Sequence, residues 1–198
     1  MSFKGANWTI ALGIIVSILF AGCKKNPIQY KFQADTAIYF SFKNNSQWVY
    51  QNSINTSQFD TVTGNSSASG FADRDGGQVE IASITLNGIG SPQMIIRAEA
   101  IATQSVDRIA VLTNFNKALY PSPVILNIAG NMSTEGSDSI KIIPNLMVGN
   151  VTYENVIEVS LKDHPVYKKL WFGKNSGIIK KKLLDDAIFD LISYTPGS

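Results

Sequence analysis

The sequence predicts an all-β domain, either a single antiparallel sandwich or an open, strongly curved sheet, preceded by a helical N-terminal signal. Three observations predict it. Short runs rich in aromatic and β-branched residues recur from Ala37 to Tyr194, bounded by Gly, Pro, Asn, Asp and Ser clusters. No stretch beyond Cys23 keeps the i, i+3, i+4 apolar spacing of an amphipathic helix, and no period of a repeat architecture occurs. Ser, Thr, Asn and Gly are plentiful, as in proteins built from many short strands joined by turns.

The chain begins with a different kind of segment. Lys4 is the only charge before Cys23, the run Ile10 to Phe20 is apolar, and the small residues Ala21 and Gly22 follow it, which is the layout of a secretory signal. Leu19-Phe20-Ala21-Gly22-Cys23 resembles the bacterial lipobox, with Phe20 where Leu is usual. The resemblance implies cleavage between Gly22 and Cys23, a diacylglycerol on the Cys23 thiol, and a further acyl chain such as palmitate on the freed amine. The competing reading is an uncleaved spanning helix over Gly5 to Gly22, about 18 residues and so long enough to cross a bilayer. The charged start and the small residues before a lone cysteine favour the cleaved signal. Cys23 is the sole cysteine, so the domain that follows forms no internal disulfide.

The expected organisation is therefore a signal peptide over 1–22, a lipid-anchored tether over 23–36 and a β-rich extracytoplasmic domain over 37–198. Lys24, Lys25 and Pro27 suit a polar, non-helical tether. Lys24 follows the cysteine in place of the aspartate that would resemble an inner-membrane retention signal, so the expected location is the cell envelope at the outer membrane. Lys and Arg number 17 against 15 Asp and Glu, a near balance that argues against a nucleic-acid partner.

Taken in order, Ala37 to Phe42 reads as the first strand, Lys43 to Ser46 as a turn, and Gln47 to Gln51 as the second strand. Gln58 to Thr63 continues the pattern, Gly64 to Gly70 reads as a loop, and Asp73 to Gly77 as a hairpin turn whose Asp-Gly pair supplies positive φ. Gln78 to Leu86, Met94 to Ala102, Asp107 to Thr113 and Val124 to Ile128 are the next strands, with a break at Pro121-Ser122-Pro123. A loop over Gly130 to Ser137 precedes Ser139 to Ile143, stopped by Pro144. Val151 to Leu161 alternates in its second half as a half-buried strand does. Tyr167 to Phe172 and Ile178 to Leu184 flank the Gly173-to-Gly177 turn, and Ile188 to Tyr194 closes the domain.

Two stretches, Tyr39 to Tyr50 and Trp171 to Lys180, are similar to the opening and closing hairpins of a group of uncharacterised Bacteroidota-type lipoproteins. That resemblance implies a lipid anchor followed by a β-rich domain and carries no activity. Asp35-Thr36-Ala37, Asp60-Thr61-Val62 and Asp138-Ser139-Ile140 look like the Asp-Ser/Thr-apolar acceptor of Bacteroidota O-glycosylation, though aspartates at strand starts and turns explain them equally well.

No pattern of catalytic residues stands out. His164, the single histidine, lies in Lys162-Asp163-His164-Pro165, which reads as a surface turn. Asp73, Asp75 and Glu80 match a calcium loop only in part, and adjacent Asp185 and Asp186 would point to opposite faces of a strand. Lys168, Lys169, Lys174, Lys180, Lys181 and Lys182 fall on one hairpin, where lysines commonly form a solvated sheet edge. The expectation is a non-enzymatic interaction or structural module with no cofactor and no metal. Its partners would be the bilayer, through acylated Cys23, and an envelope protein. The alternative is a carrier holding a hydrophobic ligand in a curved sheet, with Trp48, Tyr50, Trp171 and Phe172 as lining; a hydrolase using acidic residues stands behind both.

Overall fold

The computed structural model describes residues 27–40, 42–74, 77–101, 106–116, 118–128, 131–134 and 138–198. The expected signal segment, Cys23, and Asp75-Gly76 of the Asp-Gly turn lie outside them. In chain order the elements are β1 (Gln29–Tyr30), α1 (Ala34–Phe40), β2 (Gln47–Asn52), β3 (Phe59–Arg74), β4 (Gly77–Gly88), β5 (Gln93–Ile101), β6 (Val106–Phe115), β7 (Ala118–Ile128), β8 (Asn131–Thr134), β9 (Ser139–Val148), β10 (Val151–Ser160), β11 (Tyr167–Gly173), β12 (Gly177–Leu183) and β13 (Ile188–Thr195).

The all-β expectation holds, and of its two forms the curved sheet is the one formed. Strands β2 to β8 pair each with the next, as do β9 to β13, and β13 returns to pair with β2. Leu191 stands opposite Tyr50, and Phe189 opposite Asn52, in this closing ladder. The result is a nearly closed, barrel-like meander whose seam lies between β8 and β9. β1 stands off the path, paired in parallel with the start of β4.

Alternation explains which faces turn inward. Trp48, Tyr50 and Asn52 of β2, Met94, Ile96, Ala98 and Ala100 of β5, and Ile109, Val111 and Thr113 of β6 are buried, while their neighbours are not. Most of the core is one cluster contributed by strands round the sheet, and a small second cluster of Val79 and Ala100 lies under Tyr30 and Phe32. Burying a large aliphatic or aromatic side chain there stabilises the fold by roughly 1.5–3 kcal/mol each.

The first predicted strand is instead α1, over Ala34 to Phe40. Its aromatic and β-branched residues favour a strand intrinsically. They lie beside the seam without pairing to either edge strand, and a helix satisfies their backbone groups internally. The Asp107 carboxylate on β6 also accepts hydrogen bonds from the Gln33 N–H at 2.8 Å and from the Thr36 hydroxyl, fixing the helix start. Thr36, Tyr39 and Phe40 are the buried face. The helix touches strands on both sides of the seam: Thr36 meets Asp107 and Asn127, the Tyr39 hydroxyl donates to the Asn155 carbonyl at 2.5 Å, and Phe40 packs against Phe172 at 5.3 Å. It therefore bridges the seam, with its buried face on the core.

Five further boundaries differ from the sequence reading. The loop expected over 64–70 is part of β3, paired with β4 as far as Arg74 opposite Gly77. β7 runs through Pro121 to Pro123, and the β6–β7 ladder shifts register between Ala110 and Leu112 to accommodate it. β9 continues past Pro144 to Val148 because it is an edge strand with a ladder on one side only, and Asn155 near it on β10 adopts a φ of 51°. Finally, β8 forms inside the expected 130–137 loop, and the expected tether is packed from Gln29 onward, where β1 joins β4.

Strand directions sort the connections to two ends. The near end holds residues 27–46, the β11–β12 turn and the C-terminal residues. The far end holds the β2–β3, β4–β5, β10–β11 and β12–β13 loops.

Candidate functional site

The near end contains a cavity of about 620 Å³ between α1 and the wall formed by β3 and β4. Phe32, Phe40, Phe42 and Ile84 supply its apolar surface, and Lys43 and Glu80 its charges. β4 contributes through strand alternation, whereas the three phenylalanines arrive on the segment that carries α1. Phe32 is held at the cavity by its N–H, which donates to Glu80 Oε2 at 2.9 Å. Phe42 stands edge-on to Trp48 at 5.3 Å and to Tyr194 at 6.1 Å. Gly177 makes room for that ring: it has a φ of 69°, and a Cβ there would lie 2.7 Å from Phe42. Lys43 is exposed, and among the described residues its ammonium has no ion-pair or hydrogen-bond partner. A second, smaller cavity of about 220 Å³ lies beside α1 next to the seam, with Tyr39, Met132 and Ile142 among its walls.

All four residues expected to line a ligand site are buried in the packed core, and none borders the larger cavity. Trp48 stacks on Tyr194 at 5.3 Å and donates its indole N–H to the Ser176 carbonyl at 2.7 Å. The Tyr50 hydroxyl donates to the Ile178 carbonyl at 2.7 Å, and burial pushes its pKa well up. Phe172 is fully buried against Phe40. Trp171 belongs to a polar layer: its indole N–H donates to Glu158 at 2.8 Å, and the Lys169 and Lys180 ammoniums each lie 5.9 Å from its ring. Burial pushes the Glu158 carboxyl up, but donation from Lys169 and Trp171 outweighs this and holds it below the usual range. The lipidation and cleavage residues, Cys23 and Gly22, lie outside the described residues.

The predicted lysine hairpin divides into individual pairs. Lys168 and Lys182 reach Asp186, Lys169 reaches Glu158, and Lys180 reaches Asp190, all within 2.7–2.9 Å. Lys181 is different: it is 1 % exposed, points into the barrel near the far end and pairs with Asp60. Its ammonium also donates to Ser91 Oγ at 2.8 Å and lies 4.3 Å from the centre of the Tyr50 ring. Burial drives the Asp60 carboxyl up, yet Lys181, Ser91 and the Gly90 N–H together hold it below the usual range. The Lys181 ammonium is lowered by burial, which Asp60 offsets only in part.

His164 is in a turn as expected, but it is 5 % exposed rather than on the surface. Its Nδ1 accepts from the Val166 and Tyr167 N–H groups at 3.1 and 3.0 Å, so Nε2 carries the proton toward Thr113 Oγ1 at 3.2 Å. Burial lowers its pKa to about 4, with Asp138 opposing the shift. The imidazole is thus a neutral pin for the β10–β11 loop.

Asp73 accepts from Gln78 while Glu80 accepts from Phe32, so these two carboxylates serve separate contacts. Asp185 caps its own turn through the Ala187 N–H at 3.1 Å. Of the three glycosylation-like motifs, Thr36 is fully buried, Thr61 is half-buried and Ser139 is exposed.

Sequence reasoning missed the Lys181–Asp60 pair and the Thr36–Asp107–Asn127 cluster. The first had a signal. Three consecutive lysines in a strand must place at least one on each face, and Asp60 shares the face of apolar Val62. The second had none, because Thr36, Asp107 and Asn127 are far apart in the chain.

The fold and its contents define a nearly closed all-β module whose seam is bridged by a short helix, with a cavity at the near end beside that helix. No protein-family model, no curated protein and no solved structure matches the chain.

Proposed function

We propose that this chain is a lipid-anchored cell-envelope protein, held at the outer membrane by acylated Cys23 and acting as a non-enzymatic interaction or structural module. The observation that carries the reading is the Leu19-to-Cys23 sequence followed so closely by the folded body. β1 begins at Gln29, six residues after Cys23, and a chain of that length reaches at most about 20 Å. An anchor at Cys23 would hold the near end of the barrel, with its cavity, beside the bilayer. The non-enzymatic part is supported by the structural roles of three buried ionisable groups: His164 binds backbone N–H groups, Lys181 pairs with Asp60, and Asp107 fixes the helix start.

Mass measurement of the mature protein from membranes tests the anchor. The expected result is a chain starting at Cys23 and carrying a diacylglycerol and a further acyl group, with Cys23→Ala protein carrying no lipid and left uncleaved with Met1 to Gly22 attached. In the unsubstituted protein a free thiol, or an intact Met1, would refute the reading.

A second reading, a carrier of a hydrophobic ligand, is favoured by one observation: the cavity of about 620 Å³ falls within the roughly 300–1,000 Å³ common to sites for small organic ligands. Its walls are Phe32, Phe40, Phe42 and Ile84 and exclude the aromatics first considered for that role.

A further inference from the structure

We propose that the near-end cavity binds a single-chain anionic amphiphile, of which a fatty acid is the simplest, with its chain against the three phenylalanines and its acid group at Lys43. The inference rests on the carrier reading and gives it a ligand class. Phe32, Phe40, Phe42, Ala82 and Ile84 give the cavity an apolar part beside the polar Ser69, Ser83 and Ser198, and that part suits a flexible hydrocarbon that gains from burial without needing directional contacts.

The charges decide the head group. Glu80 already accepts the Phe32 N–H and so serves to position part of the wall. Lys43 stands exposed at the rim with its donors unengaged among the described residues, and an ammonium offers three of them. Lys43 is the lysine that lines this cavity, whereas Lys168, Lys169, Lys180, Lys181 and Lys182 are engaged with acidic partners elsewhere. A carboxylate there would gain a charge-assisted hydrogen bond in a partly water-excluded place. A cationic head would meet the same ammonium as a repulsion.

The test is calorimetric titration of the mature chain from position 23 onward carrying Cys23→Ala, which takes no acyl group and lacks the apolar leader, so it needs no detergent. The probes are dodecanoate, dodecanol and dodecyltrimethylammonium. The expected order of affinity is the acid, then the alcohol, then the cation. Lengthening the acid should tighten binding about two- to fourfold per methylene until the cavity is full. Lys43→Glu, a substitution at an exposed site, should weaken dodecanoate by about tenfold and leave dodecanol unchanged. Ala82→Leu, which places extra carbon in the cavity, should weaken all three with the thermal melt retained. If the cation binds as well as the acid, or if Lys43→Glu leaves the acid unaffected, the anionic class is wrong while the carrier reading stands. If none of the three probes binds, both fall.

Discussion

Lys181 shows at the scale of one residue how a buried charge is tolerated. Its ammonium has Asp60 and Ser91 as polar partners and the Tyr50 ring as a polarisable neighbour. The pair as a whole adds little net stability, since withdrawing two ions from water costs about as much as their attraction returns. Removing one partner is another matter. Lys181→Met should destabilise the fold by about 3–5 kcal/mol, because Asp60 would be left charged in the interior. The double substitution Lys181→Met with Asp60→Leu should recover much of that loss. Urea unfolding of Lys181→Met, Asp60→Leu and the double variant checks it, and strictly additive effects would show that the pair is not coupled. His164 gives a pH signature. Its folded pKa of about 4 is below the roughly 6.5 of an unfolded histidine, so between those values the unfolded chain takes up a proton that the fold refuses. The contribution is fully present above pH about 6.5 and is lost as pH falls, by on the order of 3 kcal/mol in total near pH 4. His164→Asn, which keeps an acceptor near Nδ1, should show a shallower loss across that window in urea midpoints measured against pH.

At the scale of an element, α1 is the piece whose conformation context decided. Its seven residues are too few to be stable as an isolated helix, so its order depends on the contacts that surround it. The Thr36 hydroxyl links Asp107 and Asn127, the Asn127 amide donating to it at 3.1 Å. Burial raises the Asp107 carboxyl despite the hydrogen bonds from Thr36 and Gln33, the mark of an anion in a dry place. Thr36→Val keeps the shape and removes the hydroxyl, leaving both partners short of a bond at a cost of about 1–3 kcal/mol. Hydrogen exchange should then quicken across Ala34–Phe40 more than in β2 or β13. A uniform change throughout the sheet would mean that the helix does not open separately.

For the whole molecule the seam is the feature with the clearest consequence. All neighbouring strands from β2 round to β8, and from β9 round to β2, are joined by ladders, whereas β8 has only four residues and pairs with β7 alone. Opening should begin there, since each strand lost from an edge gives up one ladder and one lost from the middle gives up two. Amide exchange is expected to be fastest in Asn131–Thr134 among the strands and slowest in β2, β13 and β12. Fast exchange in β2 and β13 would place the weak point at the closing pair instead.

How much of this was legible can be argued from particular residues. The strands with strict alternation, Gln47 to Gln51 and Val151 to Leu161, and the hairpin at Gly173 to Gly177, are visible because alternation and turn chemistry are local. The Asp-Ser/Thr motifs look alike in the chain, yet only the fold separates buried Thr36 from exposed Ser139. By itself the sequence determined that the domain is built of antiparallel strands and supplied the Cys23 motif on which the anchoring proposal stands. The tertiary structure alone decided that the sheet curls until β13 meets β2, that an aromatic strand-like segment becomes a helix across the seam, and that the cavity is lined by Phe32, Phe40 and Phe42. The reason is that a strand's faces follow from its own residues, while closure, the bridging of the seam and cavity shape depend on partners distant in the chain.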